Sequence, residues 1–229
     1  MQSVLVVDVS NILYRNFHAL RKTNMRSKTS EPIWAVHGFF LSIAKLNRLL
    51  KPNFIVFSLD SETGCPFRRE IVPEYKQHRP PISGDLKTQL AKTSDLLVEA
   101  GFTTVQVPLW EADDAIASVT AQAENLNLLS YIATADRDAF QLISDLTAVV
   151  DSSGNIINER KLFESKGVSP LGYLFLAALR GEPSDGITGV PFIGEKSAMK
   201  LAILLESFNL STPADAVQIL ADTTVVKNL

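Results

Sequence analysis

The chain has 229 residues, 46% of them hydrophobic, which is enough to bury one α/β domain with an appended subdomain and too few for a second catalytic domain. Its net charge of −3, taken alone, argues against binding to nucleic acid. The chain has a single cysteine, Cys65, which excludes an internal disulfide and a structural zinc site. The sequence has neither a signal peptide nor a run of about 18–20 apolar residues, which predicts a soluble, intracellular protein without a membrane partner.

Short apolar runs alternate with longer amphipathic segments along the chain, which predicts strand–helix crossovers and an α/β fold with a mainly parallel sheet. The predicted strands are Val4–Val7, Phe54–Leu59, Thr103–Val107, Leu129–Ala133 and Thr147–Val150. The predicted helices are His37–Leu50, Gly84–Ala100, Asp113–Asn125, Ala139–Ser144, Pro170–Leu179 and Glu195–Glu206.

Two regions depart from this alternation. Residues 61–81 are rich in proline and basic residues, and we interpret them as a mobile loop or arch over the sheet. Everything after Lys166 is predicted to be helical. We therefore predict a core at residues 1–166 and a helical subdomain at residues 167–229.

Acidic residues follow three of the predicted strands. Asp8 comes directly after the first strand, Asp60 directly after the second, and Asp136 and Asp138 just beyond the fourth. Ligands of open parallel sheets bind outside the carboxyl ends of the strands, so acids at several of these ends are expected to converge although they are distant in sequence.

The run Glu111-Ala112-Asp113-Asp114 adds three carboxylates at the start of a predicted helix. An acid in the first turn of a helix ordinarily stabilises the helix dipole, which explains one or two of these three. It does not explain Asp8, which ends an apolar strand where a bare carboxylate gains nothing.

Crowded carboxylates need cations, and oxygen ligands without His or Cys select Mg²⁺ or Mn²⁺. Two such ions suit phosphodiester hydrolysis.

Five short motifs run in order over nearly the whole chain. They are Asp8 with Tyr14-Arg15, then Phe67-Arg68-Arg69 with Tyr75-Lys76 and Arg79, Glu111-Ala112-Asp113-Asp114, Thr134-Ala135-Asp136-Arg137-Asp138, and Gly181-Glu182-Pro183-Ser184-Asp185 leading into Gly189-Val190-Pro191-Phe192-Ile193-Gly194-Glu195-Lys196. In this order and spacing they resemble the 5′-nuclease or flap endonuclease family, found as the N-terminal 5′-3′ exonuclease domain of bacterial type-I DNA polymerases and as phage flap endonucleases.

The resemblance implies a PIN-like 5′-nuclease fold, with a helical arch that passes a single-stranded 5′ end and a helix–hairpin–helix-like C-terminal element that holds duplex. It implies a metal-dependent 5′-3′ exonuclease or flap endonuclease of DNA replication and repair. The implied partner is DNA with a 5′ flap, a nick or a free 5′ end, and also primer RNA. We expect a monomer, acting in the bacterial cytoplasm at the nucleoid or encoded by a phage.

The resemblance also divides nine acids into two metal-ligand sets. The first set is Asp8, Asp60, Glu111 and Asp113, with Asp114 adjacent, and the second is Asp136, Asp138, Glu182 and Asp185. Without these nine, 16 acids remain against 22 Lys and Arg, a balance of +6 that suits a polyanionic substrate. The family usually has Gly-Asp where this chain has Gly181-Glu182, and Asp-Asn where it has Asp185-Gly186. We therefore expect the second metal to be held more weakly or through water.

Basic residues crowd the predicted arch. The resemblance makes Lys76 and Arg79 contacts to the scissile phosphate and places Arg68 beside them, where positive charge offsets charge that develops in the transition state. On a continuous helix Arg69 would align with Lys76, and Arg68 with Arg79, although Pro73 interrupts such a helix. A solvated basic loop is the alternative interpretation.

Further residues are candidates for nucleic-acid binding. Tyr14 and Tyr75 each adjoin a basic residue and either stack on an unpaired base or pack in the core. Arg15 and Arg69 are expected to contact the backbone of the nucleic acid.

A glycine-flanked turn precedes the last predicted helix. Gly189 and Gly194 permit close backbone approach, and the start of the helix, which carries Lys196, Ser197 and Lys200, is suited to hold a phosphate oxygen of duplex DNA without reading its sequence. The resemblance implies K⁺ at this loop. A plain helix-packing unit is the alternative.

Two other functions stay open at this point. One is a non-catalytic or weakly catalytic DNA-junction-binding protein that has lost full metal occupancy through changes such as Glu182. The other is a PIN-type ribonuclease, which shares an acidic site at the edge of a sheet. The long C-terminal helical subdomain with its Gly189–Gly194 loop counts against the ribonuclease.

Overall fold

The computed structural model describes residues 1–208, so the last part of the predicted helical subdomain, residues 209–229, lies outside the described residues. The α-helices are α1 (Val9–Leu20), α2 (Trp34–Leu50), α3 (Pro66–Ile71), α4 (Gly84–Glu99), α5 (Ala112–Asn125), α6 (Glu159–Lys166), α7 (Pro170–Arg180) and α8 (Glu195–Ser207). The strands are β1 (Ser3–Asp8), β2 (Phe54–Leu59), β3 (Thr103–Gln106), β4 (Leu129–Ala133), β5 (Thr147–Val150), β6 (Ile156–Ile157), β7 (Gly181–Glu182) and β8 (Ile187–Thr188). No helix within residues 1–208 is long and apolar enough to cross a membrane.

The chain divides into two compact units according to its internal contacts. Unit 1 consists of Met1–Phe67 and Pro80–Asn158, and unit 2 consists of Arg68–Arg79 and the residues from Glu159 onward. Unit 2 therefore contains part of the proline-rich segment as well as the C-terminal helices.

Unit 1 is built on a six-stranded sheet of order β3-β2-β1-β4-β5-β6. All neighbouring strands pair in parallel except β5 and β6. All six residues of β1 are buried, as expected for a central parallel strand with both faces covered. The core beneath it includes Phe39, Phe57 and Leu97, so helices α2 and α4 contribute to the same hydrophobic cluster. The predicted α/β fold with a mainly parallel sheet is confirmed.

The chain order of the strands reverses at β1, which lies between β2 and β4. In an open α/β sheet, the crevice at such a switch point lies outside the carboxyl ends of the strands and is the usual place for a ligand. Asp8 is the last residue of β1 and therefore lies at this crevice.

Helix α1 was not predicted, because it follows β1 directly and no loop in the sequence separates the strand from the helix. The predicted helix at Ala139–Ser144 was wrong in type. The structure has a short 3₁₀ helix at Asp138–Leu142, which ends because Ile143 is extended, with φ −66° and ψ 133°.

The prediction that the chain is wholly helical after Lys166 was also wrong. β7 and β8 form a short antiparallel hairpin around a 3₁₀ turn at Pro183–Asp185. Two glycines permit it, since a Cβ on Gly181 would lie 2.2 Å from the amide nitrogen of Gly189. Around the hairpin, α7 packs on α8, and the Glu206 carboxylate accepts a hydrogen bond from the Ser169 amide at 3.0 Å.

Candidate functional site

Asp8 joins the central strand to the helix that follows it. Its Oδ1 accepts a hydrogen bond from the Asn11 amide at 3.0 Å and so caps α1. Its Oδ2 accepts one from the Thr134 hydroxyl at 2.8 Å. The expectation that a carboxylate gains nothing at this position was therefore wrong, because the residue is a helix cap as well as an acid at the sheet edge.

The electrostatic surroundings of Asp8 disfavour its charge. Its side chain is almost fully buried, and burial raises its pKa from the ordinary 3.8 to about 6. The hydrogen bonds from Asn11 and Thr134 lower the pKa, while the negative charges of Asp60 and Asp136 raise it further. A divalent cation would offset most of this negative charge, so these carboxylates suit an oxygen-liganded ion.

Asp60 and Asp136 follow the two strands that flank β1, and backbone amides orient both. The Ala112 amide donates to Asp60 Oδ1 at 2.9 Å, and the Asp138 amide donates to Asp136 Oδ1 at 3.0 Å. The Asp136 amide donates in turn to the Thr134 hydroxyl at 3.0 Å. Thr134 thus links Asp8 to the loop of Asp136.

The acids at the start of α5 have a structural role of their own. Glu111 and Asp114 form a capping box, in which each side chain accepts a hydrogen bond from the backbone amide of the other. The Glu111 amide lies 3.1 Å from Asp114 Oδ2. Helix capping therefore gives these two acids a structural role beside any role at an ion, whereas Asp113 is exposed in the first turn.

The structure does not gather the predicted ligands into one closed cluster. Within residues 1–208, no group of three or more His, Cys, Asp or Glu side chains lies close enough to hold a metal ion. Asp8 interacts electrostatically with Asp60 and with Asp136. The convergence of the seven unit 1 acids on an ion stays a prediction, and the other two, Glu182 and Asp185, belong to unit 2.

In unit 2, Asp185 is paired with two of the predicted phosphate contacts. The guanidinium Nη2 of Arg79 donates to Asp185 Oδ1, and the Lys76 ammonium lies 3.9 Å from Oδ2. Glu182 is paired as well, with Arg180 Nη2 3.6 Å from one carboxylate oxygen and the Ser184 hydroxyl donating to the other at 2.6 Å. Both acids therefore have cationic partners from the same unit.

The basic residues of the predicted arch do not lie on one helix. Arg68 and Arg69 are on α3, which ends at Ile71, and turns carry the chain from Pro73 to Arg79. The continuous basic stripes considered for this region do not form, because Pro73 cannot continue the helix.

The two tyrosines have different surroundings. Tyr75 is buried, which favours a packing role, and the Lys76 ammonium lies 4.8 Å from the centre of its ring. Tyr14 is 55% exposed on α1, where its ring packs edge-on against His18. Arg15 is also exposed on α1. Of the two aromatic candidates, Tyr14 is the one accessible to a nucleic-acid base.

The two glycines of the last loop differ in the space around them. A Cβ on Gly189 would lie 2.1 Å from the Arg180 carbonyl oxygen, so this position requires glycine. Gly194 is the N-cap of α8, and a Cβ there would meet none of the described atoms within 4 Å. Lys196, Ser197 and Lys200 are exposed on the first turns of α8.

Phe192 is a candidate that sequence reasoning missed. Its side chain is fully exposed, and its backbone adopts the left-handed region with φ +68°, which is rare for a bulky residue. The signal in the sequence was an aromatic residue between Pro191 and Ile193 in a glycine-flanked turn. Thr134 was missed too, because a threonine beside a strand end gives no sign that it will bond a buried acid.

The sequence matches the family model for the 5′-3′ exonuclease N-terminal resolvase-like domain over residues 3–168. Thermostable DNA polymerase I of Thermus thermophilus is 39% identical over 200 residues, and that of Thermus aquaticus is 36% identical over 225 residues. These matches cover 86% and 95% of this chain but 23% and 27% of the polymerases. The chain thus spans about a quarter of the length of these relatives.

Solved structures show the same fold at lower sequence identity. A complex of the bacteriophage T5 flap endonuclease with DNA and metal ions has a TM-score of 0.71 at 20% identity, covering 96% of this chain and 84% of that one. Flap endonuclease-1 from Methanococcus jannaschii has a TM-score of 0.58 at 17% identity, covering 90% of this chain and 72% of that one. The fold, the ordered motifs and the match over residues 3–168 agree, and the chain belongs to the family of 5′-3′ exonuclease N-terminal domains.

Proposed function

We propose that this chain is a structure-directed, metal-dependent 5′-nuclease that hydrolyses phosphodiester bonds near the 5′ ends of flapped or nicked DNA and of primer RNA. The observation that carries the proposal is the buried Asp8 carboxylate at the switch point of the sheet, with Asp60 and Asp136 close enough to raise its pKa. A buried acid among acids destabilises the fold unless a cation offsets it, so the presence of Asp8 at this place is best explained by an ion that the function needs.

The proposed ligands of Mg²⁺ or Mn²⁺ are carboxylates of unit 1. They are Asp8, Asp60, Glu111, Asp113, Asp114, Asp136 and Asp138. Bound divalent ions would supply Lewis acidity for phosphodiester hydrolysis. The Thr134 hydroxyl holds Asp8 Oδ2, and the amides of Asn11 and Ala112 hold Asp8 and Asp60, so the protein fixes the orientation of the oxygens.

Binding of the DNA backbone is assigned to the basic and glycine residues. The proposed contacts are Lys76, Arg79, Arg68, Arg69, Arg15, Tyr14, Gly189, Gly194, Lys196, Ser197 and Lys200, with K⁺ at the loop between the two glycines. The basic residues and the glycine loop hold phosphates without reading bases, and Tyr14 stacks on an unpaired base. We propose a cytoplasmic monomer acting in replication and repair.

Cleavage of a 5′-labelled flap DNA tests this function. The protein with Mg²⁺ or Mn²⁺ is expected to release a short 5′ product, and EDTA to prevent it. Asp136→Asn should lower the rate by about a hundredfold or more, because a ligand carboxylate is lost while the hydrogen bond to the Asp138 amide can be kept. The exposed acid Asp95 on α4 provides the control, and Asp95→Asn should cleave at the normal rate.

The alternative is a DNA-junction-binding protein with little catalysis. The pairing of Asp185 with Arg79 and of Glu182 with Arg180 favours it, since neither acid is held ready for an ion. Tight binding of the flap DNA with no metal-dependent product from the wild-type protein would establish this alternative. Cleavage of plain single-stranded RNA in preference to branched DNA would instead support a PIN-type ribonuclease.

Phe192 is proposed as an additional DNA contact. A fully exposed aromatic ring beside the start of α8 can pack on a sugar or an unpaired base, and such contacts are worth about 1–3 kcal/mol. Phe192→Gly should therefore weaken binding of flap DNA about tenfold, and should also stabilise the fold by about 1 kcal/mol because glycine accepts the left-handed backbone. Fluorescence anisotropy and thermal unfolding measure the two effects.

The matched control for Phe192 is another exposed phenylalanine of unit 2, Phe163 on α6. Phe163→Ala should change neither quantity. Unchanged DNA affinity in Phe192→Gly would remove Phe192 from the binding surface.

A further inference from the structure

We propose that Trp110, supported by Phe67, forms a stacking surface for an unpaired base of the DNA beside the carboxylate edge of the sheet. Both residues belong to unit 1, and neither is among the proposed ion ligands or phosphate contacts. The proposal rests on the nuclease function proposed above, because it assigns a place to a nucleotide next to the reacting phosphate.

The first support is the position of Trp110 in the fold. It ends the loop at residues 107–110, which leaves the carboxyl end of β3 and leads into α5, and it directly precedes Glu111. Its carbonyl oxygen accepts a hydrogen bond from the Ser61 amide at 3.2 Å, and Ser61 directly follows Asp60. Trp110 is therefore connected, through the chain and through this hydrogen bond, to two of the proposed ligands.

The second support is the exposure of the indole. Trp110 is 43% exposed, and its ring centroid lies 4.8 Å from that of Phe67, with the two planes inclined by 53°. Phe67 thus supports the indole while much of its surface stays open to solvent. Leu109 and Val107 of the same loop are exposed as well. Exposed apolar side chains grouped in this way are typical of a surface that binds a ligand.

The third support is the backbone of Leu109, which adopts the left-handed region with φ +68°. A bulky side chain disfavours this conformation, so other contacts must hold it. The Leu109 amide donates to the Ser61 hydroxyl oxygen at 3.0 Å, and the Trp110 amide donates to the Val107 carbonyl oxygen at 3.1 Å. A strained backbone that is held in this way is typical of binding sites, and it presents the indole with little ordering left to pay for on binding.

The chemistry of the surface favours a base over other ligands. The carboxylates of Asp60 and Glu111, which adjoin the surface along the chain, disfavour a phosphate or an acidic peptide but not a neutral base. Stacking on an aromatic ring accepts any base, since every base has a π-face. The chain belongs to a family of exonuclease domains, and an unpaired nucleotide at the edge of the sheet can place its base on Trp110.

Tryptophan fluorescence tests the contact directly, because the chain has two tryptophans. The other one, Trp34, is buried, and its indole nitrogen donates to the Phe17 carbonyl oxygen at 3.0 Å. In EDTA, flap DNA should quench the emission of Trp110 and protect it from acrylamide. A flap of the same length whose unpaired nucleotides are all abasic should do neither. In Trp110→Phe, where Trp34 alone emits, neither DNA should change the emission.

A cycle of protein and DNA variants separates stacking from an effect on the fold. Trp110→Leu should weaken the affinity for flap DNA in EDTA about tenfold, measured by fluorescence anisotropy, and Trp110→Phe should restore most of it because phenylalanine keeps a ring. On the abasic flap, the wild-type protein and Trp110→Leu should bind equally, because the base that the indole contacts is missing.

Phe102 provides the matched control. It is 44% exposed, its ring lies 5.3 Å from that of Phe57, and it precedes β3, so it lies at the opposite end of the strand from Trp110. Phe102→Leu should bind both DNAs with the affinity of the wild-type protein.

Either of two results overturns the proposal. One is an unchanged affinity of Trp110→Leu for the flap that carries bases, which would leave the surface to an apolar protein partner. The other is an equal loss of affinity for both DNAs in Trp110→Leu, which would mean that the indole supports the fold or the phosphate contacts. A wild-type protein that shows the expected stacking but does not cleave with Mg²⁺ would overturn the nuclease function and leave the stacking surface in place.

Discussion

Asp8→Asn is expected to make the metal-free protein more stable at pH 8 while it lowers the nuclease rate about a thousandfold, equivalent to losing about 4 kcal/mol of transition-state stabilisation. Asparagine can accept the hydrogen bond from the Asn11 amide and donate one to the Thr134 hydroxyl, so both contacts of Asp8 survive the change. The change removes only the buried negative charge.

The pH dependence of the same variant follows from the raised pKa. Between pH 3.8 and about 6 the folded protein keeps a proton on Asp8 that the unfolded chain has released, so the free energy of unfolding falls as the pH rises through this window. Above it the full penalty applies, and a pKa rise of this size corresponds to about 3 kcal/mol. In Asp8→Asn the free energy of unfolding should no longer fall through this window, and at pH 8 it should exceed that of the wild-type protein by about 1–3 kcal/mol.

Urea unfolding in EDTA at pH 4 and pH 8 measures this gain, and the exposed acid Asp113 supplies the matched control. Asp113→Asn should lower the nuclease rate without raising the stability, because its carboxylate is not buried. A less stable Asp8→Asn protein at pH 8 would mean that its cap contacts outweigh its buried charge.

Gly189→Ala is expected to destabilise unit 2 by about 3 kcal/mol or more, since overlap with backbone atoms cannot be relieved by rotating a side chain. The added Cβ would lie 2.1 Å from the carbonyl oxygen of Arg180 and 2.7 Å from that of Leu179. The Val190 amide bonds the Leu179 carbonyl at 2.9 Å, so the same change disturbs the connection from the hairpin to the loop before α8. The midpoint temperature of thermal unfolding and the affinity for DNA should both decrease in this variant.

Gly194→Ala is the control for this prediction. Gly194 has φ −79° and open space around its Cα among the described residues, so the variant should lose about 1 kcal/mol at most, the usual range for an N-cap without a side-chain bond. Equal losses in Gly189→Ala and Gly194→Ala would show that the close approach at Gly189 is not what requires glycine there.

The sheet could be predicted from the sequence because apolar runs of four to six residues marked its central strands. The predicted bounds of β2, β4 and β5 are those of the structure. β6, β7 and β8 were missed, since two-residue strands carry no periodicity and depend on backbone contacts such as that between Gly181 and Gly189.

The candidate site was predicted in part. The positions of Asp8, Asp60 and Asp136 at strand ends could be predicted, because each of them follows a predicted strand. In the structure the charges of Asp60 and Asp136 raise the pKa of Asp8. The pairing of Asp185 with Arg79 could not be predicted, because it joins residues 106 positions apart across a turn with no periodic signal. The capping role of Asp8 could not be predicted either, because α1 itself was not predicted.

The amide hydrogen bonds at the sheet edge have a consequence for the entropy of ion binding. Asp8, Asp60 and Asp136 each have one carboxylate oxygen fixed by a backbone amide, and Glu111 and Asp114 fix each other. Their rotamer freedom has already been lost during folding, so an incoming ion would not have to order these side chains itself. A weak attraction between the ion and each carboxylate can then suffice to fill the site. The selectivity between ions would depend on the spacing that the strands impose on the carboxylates.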